Sequence, residues 1–260
     1  MSYGDELMAS GHALSEHERT GLKVVITDRS GRARWDDLWA GLPWIVQPGE
    51  PAAGAARVTN GPQCRPYIRY PFTRDTGCTF SGWRARDHVG ALSLTAAELA
   101  AGRAVRDRLG HFTLVEPHVP AQSNPNKQWG WARWQVLADL LRASGRRVAQ
   151  FSLPGVALLN GVEPIDTASF REGAAVLTFA DEAVLPEGGM HHAAAVLRHP
   201  RTVVLFGGAV DPEATGYPWQ VNLADAGKSS PCGKWRPCRH CAEVWARLDP
   251  AAVMAALEAA

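Results

Sequence analysis

Short apolar runs alternate with amphipathic segments along this chain, and the alternation is clearest in its second half. Runs such as HFTLVEP and TVVLFGG are typical of parallel strands that are buried on both faces. Thr95 with Glu98, and Ser169 with Glu172, have the capping-box spacing that begins a helix. Strands are predicted at 22–28, 111–117, 146–152, 182–189 and 202–208, and helices at 6–19, 96–109, 130–145, 169–180, 190–198 and 249–260.

The alternation of strands and helices predicts βαβ units and a parallel sheet, and therefore an α/β fold. Between residues 44 and 87 the chain is rich in Pro, Gly and Arg, and we expect mostly irregular structure there. Gly110 follows the 96–109 helix as a stop signal, and we place a domain boundary at this point. The prediction is a smaller α/β unit at 1–109 and a doubly wound unit at 110–260.

Composition excludes several classes of protein. Of the 260 residues, 46% are hydrophobic and 20% are charged, which is typical of globular proteins. The formal net charge of +1 argues neither for nor against a polyanionic partner. No apolar run approaches the ~20 residues that a membrane span needs, and the N-terminus lacks the pattern of a signal peptide. The five cysteines do not indicate a secreted disulfide framework. We therefore expect a cytoplasmic protein without a membrane span.

The segment LPEGGMHHAAAVLR (185–198) places a turn between a predicted strand and a predicted helix. Ligands of parallel sheets bind beyond the carboxyl ends of the strands, and the free N–H groups of a helix N-terminus favour an anion. Gly188 and Gly189 allow a ligand to approach the backbone closely. Glu187 suits either sugar or ribose hydroxyls or a hydrogen bond that orders the turn, and His191 and His192 add donors. An ordinary tight turn is the alternative.

A second loop, NPNKQWGWARW, follows the predicted 111–117 strand. Lys127 in this loop is a natural phosphate partner, although a solvated lysine explains it equally well when taken alone. Because both loops follow strands of one predicted sheet, we expect them to be neighbours. The chain has no P-loop motif and no G-x-G-x-x-G fingerprint, which argues against a P-loop enzyme and a nicotinamide dehydrogenase.

The segment PCGKWRPCRHC places three cysteines near the C-terminus, at Cys232, Cys238 and Cys241. Their C-x5-C-x2-C spacing suits three ligands of a structural zinc, with the fourth ligand from His240, Cys64 or Cys78. The alternative is a set of reduced thiols in a small loop. A metal there would fasten the C-terminal segment and take no part in the chemistry.

A run of arginines interleaved with aromatic residues lies between residues 65 and 86. This pattern suits an anionic acceptor, such as a phosphorylated glycan or single-stranded nucleic acid, and a solvated face with ordinary packing explains it equally well. Arg65, Arg69 and Arg74 are the candidate acceptor-binding residues. The others are Arg84 and Arg86, with Tyr67, Tyr70, Phe72 and Trp83 between them.

Three segments together resemble glycosyltransferase family 9, the heptosyltransferase-like enzymes. EGGMHHAAAVLRHPRTVVLFGGAVDP resembles the donor-site signature of the family, and NKQWGWARWQVLADLL resembles its Lys-x-Trp segment. YGDELMASG resembles its N-terminal Gly-Asp loop. The resemblance covers about 110–258, and the first half only through the Gly-Asp loop.

The resemblance implies a GT-B fold, in which two Rossmann-like parallel-sheet domains face a cleft. It also implies inverting, metal-independent transfer of a hexosyl or heptosyl group from a nucleotide-diphosphate sugar to an acceptor hydroxyl of a glycan or lipopolysaccharide. Carried over by motif, Asp5 matches the general base, and Lys127 matches the lysine that meets the donor phosphates. The implied diphosphate-binding turn and helix start consist of Glu187, Gly188, Gly189, Met190, His191 and His192.

The chain departs from the family pattern in its first half. It begins almost at the Gly-Asp loop and lacks the usual first strand, so either the true start lies upstream or the N-terminal domain is reduced. Glu187 stands where the family has Asp, and Asp5 also suits the N-cap of the 6–19 helix. Two alternatives stay open: a glycosyltransferase that acts on a modified base in DNA, and a nucleotide-sugar-binding protein without catalysis.

Overall fold

The computed structural model describes residues 2–73, 75–120, 123–224 and 230–260. The first half contains α1 (Tyr3–Thr20), β1 (Val24–Thr27), β2 (Ala56–Thr59), β3 (Ile68–Arg69), β4 (Thr79–Phe80) and α2 (Ala96–Leu109). The second half contains β5 (Thr113–Val115), α3 (Trp131–Ala143), β6 (Val148–Ser152), β7 (Glu163–Asp166), α4 (Phe170–Thr178), β8 (Glu182–Pro186), α5 (Gly189–Val196), β9 (Thr202–Gly207), α6 (Pro212–Thr215), β10 (Val221–Ala224), α7 (Arg239–Arg247) and α8 (Pro250–Glu258).

A parallel sheet of six strands, in the order β10-β9-β8-β5-β6-β7, forms the centre of the second half. Its middle strands are apolar on both faces, and Leu114, Val184 and Leu205 are almost completely buried. Helices α2, α4 and α5 contribute to the core on one face, and α3, α7 and α8 contribute to the core on the other. Burial on both faces explains the continuous apolar runs and confirms the predicted parallel α/β fold.

The sequence pattern misses the two edge strands of this sheet, β7 and β10. In β7 only Ile165 is buried, and β10 has no fully buried residue. Each edge strand pairs on one side only and is short and partly polar, as exposed edges usually are. Hydrophobic periodicity therefore gives no signal for either of them.

Capping residues set the helix starts. Thr95 and Glu98 form the predicted capping box, and α2 has the predicted bounds. By contrast, α1 begins at Tyr3 rather than at residue 6, because Ser2 is the N-cap and Asp5 completes the capping box with it. The expectation that Asp5 is the N-cap is therefore wrong. Asp5 lies in the first turn of the helix, where the family resemblance implied a loop.

The first half of the chain has much less sheet than the second. Strands β1 and β2 form a two-stranded parallel sheet, against which α1 packs, and β3 and β4 form an antiparallel pair in the arginine-rich region. Helix α1 also packs against α5, so that the two halves share one hydrophobic core. The domain boundary near Gly110 stays a prediction. In the described ranges, every helix is too short or too polar to cross a membrane.

Candidate functional site

The side chain of His191, in the first turn of α5, stabilises the turn between β8 and α5. The backbone N–H of Gly188 donates to Nδ1 of His191 at 3.0 Å, and Nε2 of the same ring lies 2.9 Å from the carbonyl oxygen of Thr215. The ring is fully buried, and burial lowers its pKa. His191 therefore orders the start of α5 through contacts of both ring nitrogens with the backbone.

His192 connects α5 with α1 and with the chain after β9. Its Nδ1 lies 2.9 Å from the hydroxyl oxygen of Tyr217, and burial lowers the pKa of the imidazole well below its usual value. A Cβ atom on Gly4 would lie 2.6 Å from the His192 ring. One on Gly189 would lie 3.1 Å from Cβ of Tyr3. The first turns of the two helices therefore meet through glycines.

Lys127 and Glu187, from the two loops named in the sequence, form an ion pair. Lys127 ends a 3₁₀ turn, Pro125–Lys127, in the connection between β5 and α3. The Glu187 side chain is 5% exposed and the Lys127 side chain 22%. Thr215 donates its hydroxyl to the other carboxylate oxygen of Glu187 at 3.4 Å. The lysine is therefore the member of the pair that solvent, or a ligand, can reach.

The carboxylate group of Glu187 and the rings of His191 and His192 also lie close enough together to hold a metal ion. Both nitrogens of His191 already have backbone partners, and the ammonium group of Lys127 neutralises the carboxylate. Glu187 and His191 therefore have polar partners without a metal ion.

Asp5 is buried and surrounded by donors. Its Oδ1 forms an ion pair with Nε of Arg65 at 3.0 Å and accepts a hydrogen bond from the hydroxyl of Tyr67. Its Oδ2 accepts from the backbone N–H and the hydroxyl of Ser2, at 3.1 and 2.9 Å. Burial and the charges of Asp5 and Glu187 raise the pKa of Tyr67. The negative charges of Asp5 and Glu187 therefore both act on the hydroxyl group of Tyr67.

The remaining residues predicted for the site are placed differently. Met190 is half-buried and packs against the hydrophobic core beside α4. Arg69 is exposed, and its Nε donates to the carbonyl oxygen of Phe80 across the β3–β4 pair. Arg65 faces inward and forms an ion pair with Asp5. Arg74 lies outside the described residues.

Glu116 was not among the residues predicted for the site, although it follows β5 as Glu187 follows the neighbouring strand β8. Its Oε1 accepts from the backbone N–H of His118 at 3.0 Å, and its Oε2 has no hydrogen-bond partner among the described residues. Burial raises the pKa of this carboxyl from 4.5 to about 8. The position of Glu116 at the carboxyl end of the predicted 111–117 strand is a signal that could have identified it.

Stability should depend on pH through Glu116. Between pH 4.5 and about 8 the unfolded state ionises this group while the folded state keeps it protonated, so the free energy of unfolding falls as the pH rises. Glu116→Gln removes this dependence. We expect the variant to match the wild type near pH 4.5 and to be the more stable protein at pH 8.5, in urea unfolding at both pH values. A difference that is the same at both pH values would contradict the assignment.

A surface depression of about 690 Å³ lies away from this cluster. Its lining includes Gly110, Arg147 and Glu163, which lie at the amino ends of β5, β6 and β7. Ligands of open parallel sheets bind at the carboxyl ends of the strands. The candidate functional site is therefore the cluster around Asp5, Lys127 and Glu187.

Comparisons with known proteins identify the fold. No protein-family model matches the sequence, and no curated protein matches it. The chain is similar to E. coli ADP-heptose LPS heptosyltransferase II, with a TM-score of 0.48 and 16% identity over 66% of this chain and 53% of that one. It is also similar to an E. coli heptosyltransferase solved with ADP, with a TM-score of 0.44 and 21% identity over 58% and 44% of the two chains. The chain thus matches about half the length of each of these enzymes.

A third similarity covers nearly all of both proteins. The glycosyl transferase family 9 protein of Veillonella parvula DSM 2008 superposes with a TM-score of 0.67 and 14% identity, over 100% of this chain and 94% of that one. The predicted GT-B-like fold is therefore confirmed, and so is the family resemblance at the level of the fold: over its whole length, this chain folds like a family 9 glycosyl transferase.

Proposed function

We propose that this protein is an inverting glycosyltransferase that moves a sugar from a nucleotide-diphosphate donor to an acceptor hydroxyl without a catalytic metal. The observation that carries the proposal is the convergence of Asp5, Lys127, Glu187 and the first turn of α5 where α1 meets the carboxyl edge of the large sheet. A carboxylate base and a cationic anion site are the two groups that such a transfer requires.

The donor diphosphate would bind to Lys127 and to the N-terminus of α5. The lysine is the more exposed partner of its ion pair, and the helix end contributes partial positive charge. Glu187 holds the ammonium group in place, and Thr215 holds Glu187. During transfer, Lys127 would offset the negative charge that develops on the departing diphosphate.

Asp5 would remove the proton from the acceptor hydroxyl as the acceptor oxygen attacks the anomeric carbon. Attack on the face opposite the leaving diphosphate inverts that carbon. Nε of Arg65 lies 3.0 Å from Oδ1 of Asp5 and holds the carboxylate in position. Tyr67 and Ser2 orient its oxygens, so Arg65 acts as a positioning residue rather than as an acceptor contact. Of the two predicted acceptor-binding arginines that the structure describes, Arg69 is the one that faces solvent.

A thermal-shift screen with ADP, UDP, GDP and CDP tests the donor half of this proposal. A ligand at about 100 times its Kd stabilises the native state by about 2.7 kcal/mol, and we expect one of the four to raise Tm measurably. The sugar conjugates of that nucleotide are then tested for release of the free diphosphate. If none of the four raises Tm at millimolar concentration, the donor assignment is wrong.

A further inference from the structure

The C-terminal loop and the start of α7 bring four metal-ligand atoms together. The thiols of Cys232, Cys238 and Cys241 and the ring of His240 each offer one ligand atom, and all four atoms lie within 4.8 Å of one another. Sγ of Cys232 lies 3.8 Å from Sγ of Cys238 and 3.2 Å from Sγ of Cys241. Nδ1 of His240 lies 3.9 Å from Sγ of Cys241. In a tetrahedral zinc site with ~2.3 Å bonds, neighbouring sulfurs are ~3.8 Å apart.

The helix start explains how adjacent residues can both face one ion. Cys238 is the N-cap of α7, and its sulfur accepts from the backbone N–H of Cys241 at 3.5 Å. His240 and Cys241 lie in the first helical turn, and the His240 ring turns Nδ1 toward the sulfurs. Its Nε2 lies 3.1 Å from the hydroxyl oxygen of Ser230, which fixes the ring as the outer partners of metal-bound histidines do.

We propose that Cys232, Cys238, Cys241 and Nδ1 of His240 bind one zinc ion in a closed, structural site. Three thiolates and an imidazole form a soft ligand set that suits zinc, and four protein ligands leave no open position for catalysis. The two other cysteines are not in the cluster. Cys78 contacts the carbonyl oxygen of Gly233, and Cys64 lies beside Gly61.

The loop that carries these ligands also holds the turn of Lys127. The side chain of Asn126 donates to the carbonyl oxygens of Lys234 and Arg236, at 2.8 and 2.7 Å, and accepts from the backbone N–H of Cys238 at 3.1 Å. The backbone carbonyl oxygen of Asn126 accepts from the indole of Trp245 in α7 at 2.8 Å. A metal ion that fixes the loop therefore also fixes the backbone next to Lys127. Only this link to the donor loop rests on the proposed function.

Metal analysis of the whole chain tests the site without any nucleotide. We expect protein purified under reducing conditions from zinc-supplemented cells to contain about one zinc per chain. Cys238→Ser and His240→Ala should each lose most of it, whereas the control Cys64→Ser should keep it. Removal of zinc by a chelator should lower Tm.

Three results would overturn the proposal. The first is wild-type protein that holds no metal even after reconstitution with zinc. The second is an intact mass about 2 Da below that of the reduced chain, which would indicate a disulfide in place of the site. The third is full zinc retention by His240→Ala, which would remove His240 from the ligand set. A negative nucleotide screen with one zinc per chain would refute the donor site alone.

Discussion

Lys127→Ala should abolish binding of the nucleotide diphosphate and destabilise the fold by about 3 kcal/mol. Binding is lost because the ammonium is the exposed cation of the cluster. Stability is lost because Glu187, 5% exposed, loses its cationic partner, and breaking a buried ion pair costs about 3–5 kcal/mol. We use the lower figure because Lys127 is partly exposed. Urea unfolding measures the stability, and the nucleotide-induced change in Tm measures the binding.

Two further variants separate these effects. The double variant Lys127→Met/Glu187→Gln removes both charges, so it should recover most of the stability but none of the binding. Lys23→Ala removes a lysine from an exposed ion pair with Glu50, and we expect a cost of about 0–1 kcal/mol and normal binding. If the double variant binds the diphosphate like the wild type, Lys127 is not a donor residue.

The sequence predicts the middle of the large sheet well and its edges poorly. The core strand β9 and the helix that begins after Thr95 were identifiable because burial on both faces and capping chemistry are local properties. The edge strand β7 carries one buried residue, Ile165, and its pairing with β6 depends on the rest of the fold. The start of α1 at Tyr3 is also encoded by local sequence, because Ser2 and Asp5 have capping-box spacing. The predicted start at residue 6 overlooked this pair.

The sequence predicts which loops form the candidate site but not which side chains contact one another there. Strand order explains why Lys127 and Glu187 share one edge, because their loops follow the adjacent strands β5 and β8. The ion pair between Asp5 and Arg65 depends on how the chain between them folds back, and no local pattern encodes that. The sequence therefore could not indicate that Arg65 pairs with Asp5, and its role in acceptor binding stays a prediction.

Asp5→Asn should reduce turnover by about 10²–10⁴-fold, the usual contribution of a general base, and leave donor binding unchanged. The amide cannot take the proton of the acceptor hydroxyl. Its one oxygen can still accept from the backbone N–H and the hydroxyl of Ser2, so the first turn of α1 should persist, and the NH2 group then faces Tyr67. The measurement is the rate of nucleotide-diphosphate release from the donor sugar, together with the nucleotide-induced change in Tm.

Tyr67→Phe is the matched control for this prediction. It removes one donor to Asp5 and keeps the carboxylate, so a loss of about 1 kcal/mol, roughly fivefold in rate, is expected if orientation is its role. If Asp5 is the base, Asp5→Asn should therefore reduce turnover far more than Tyr67→Phe does. If Asp5→Asn and Tyr67→Phe reduce turnover equally, Asp5 serves the packing of α1 against α5.

A wild-type protein that binds the nucleotide but releases no nucleotide diphosphate from any donor sugar would instead support a nucleotide-sugar-binding protein without catalysis.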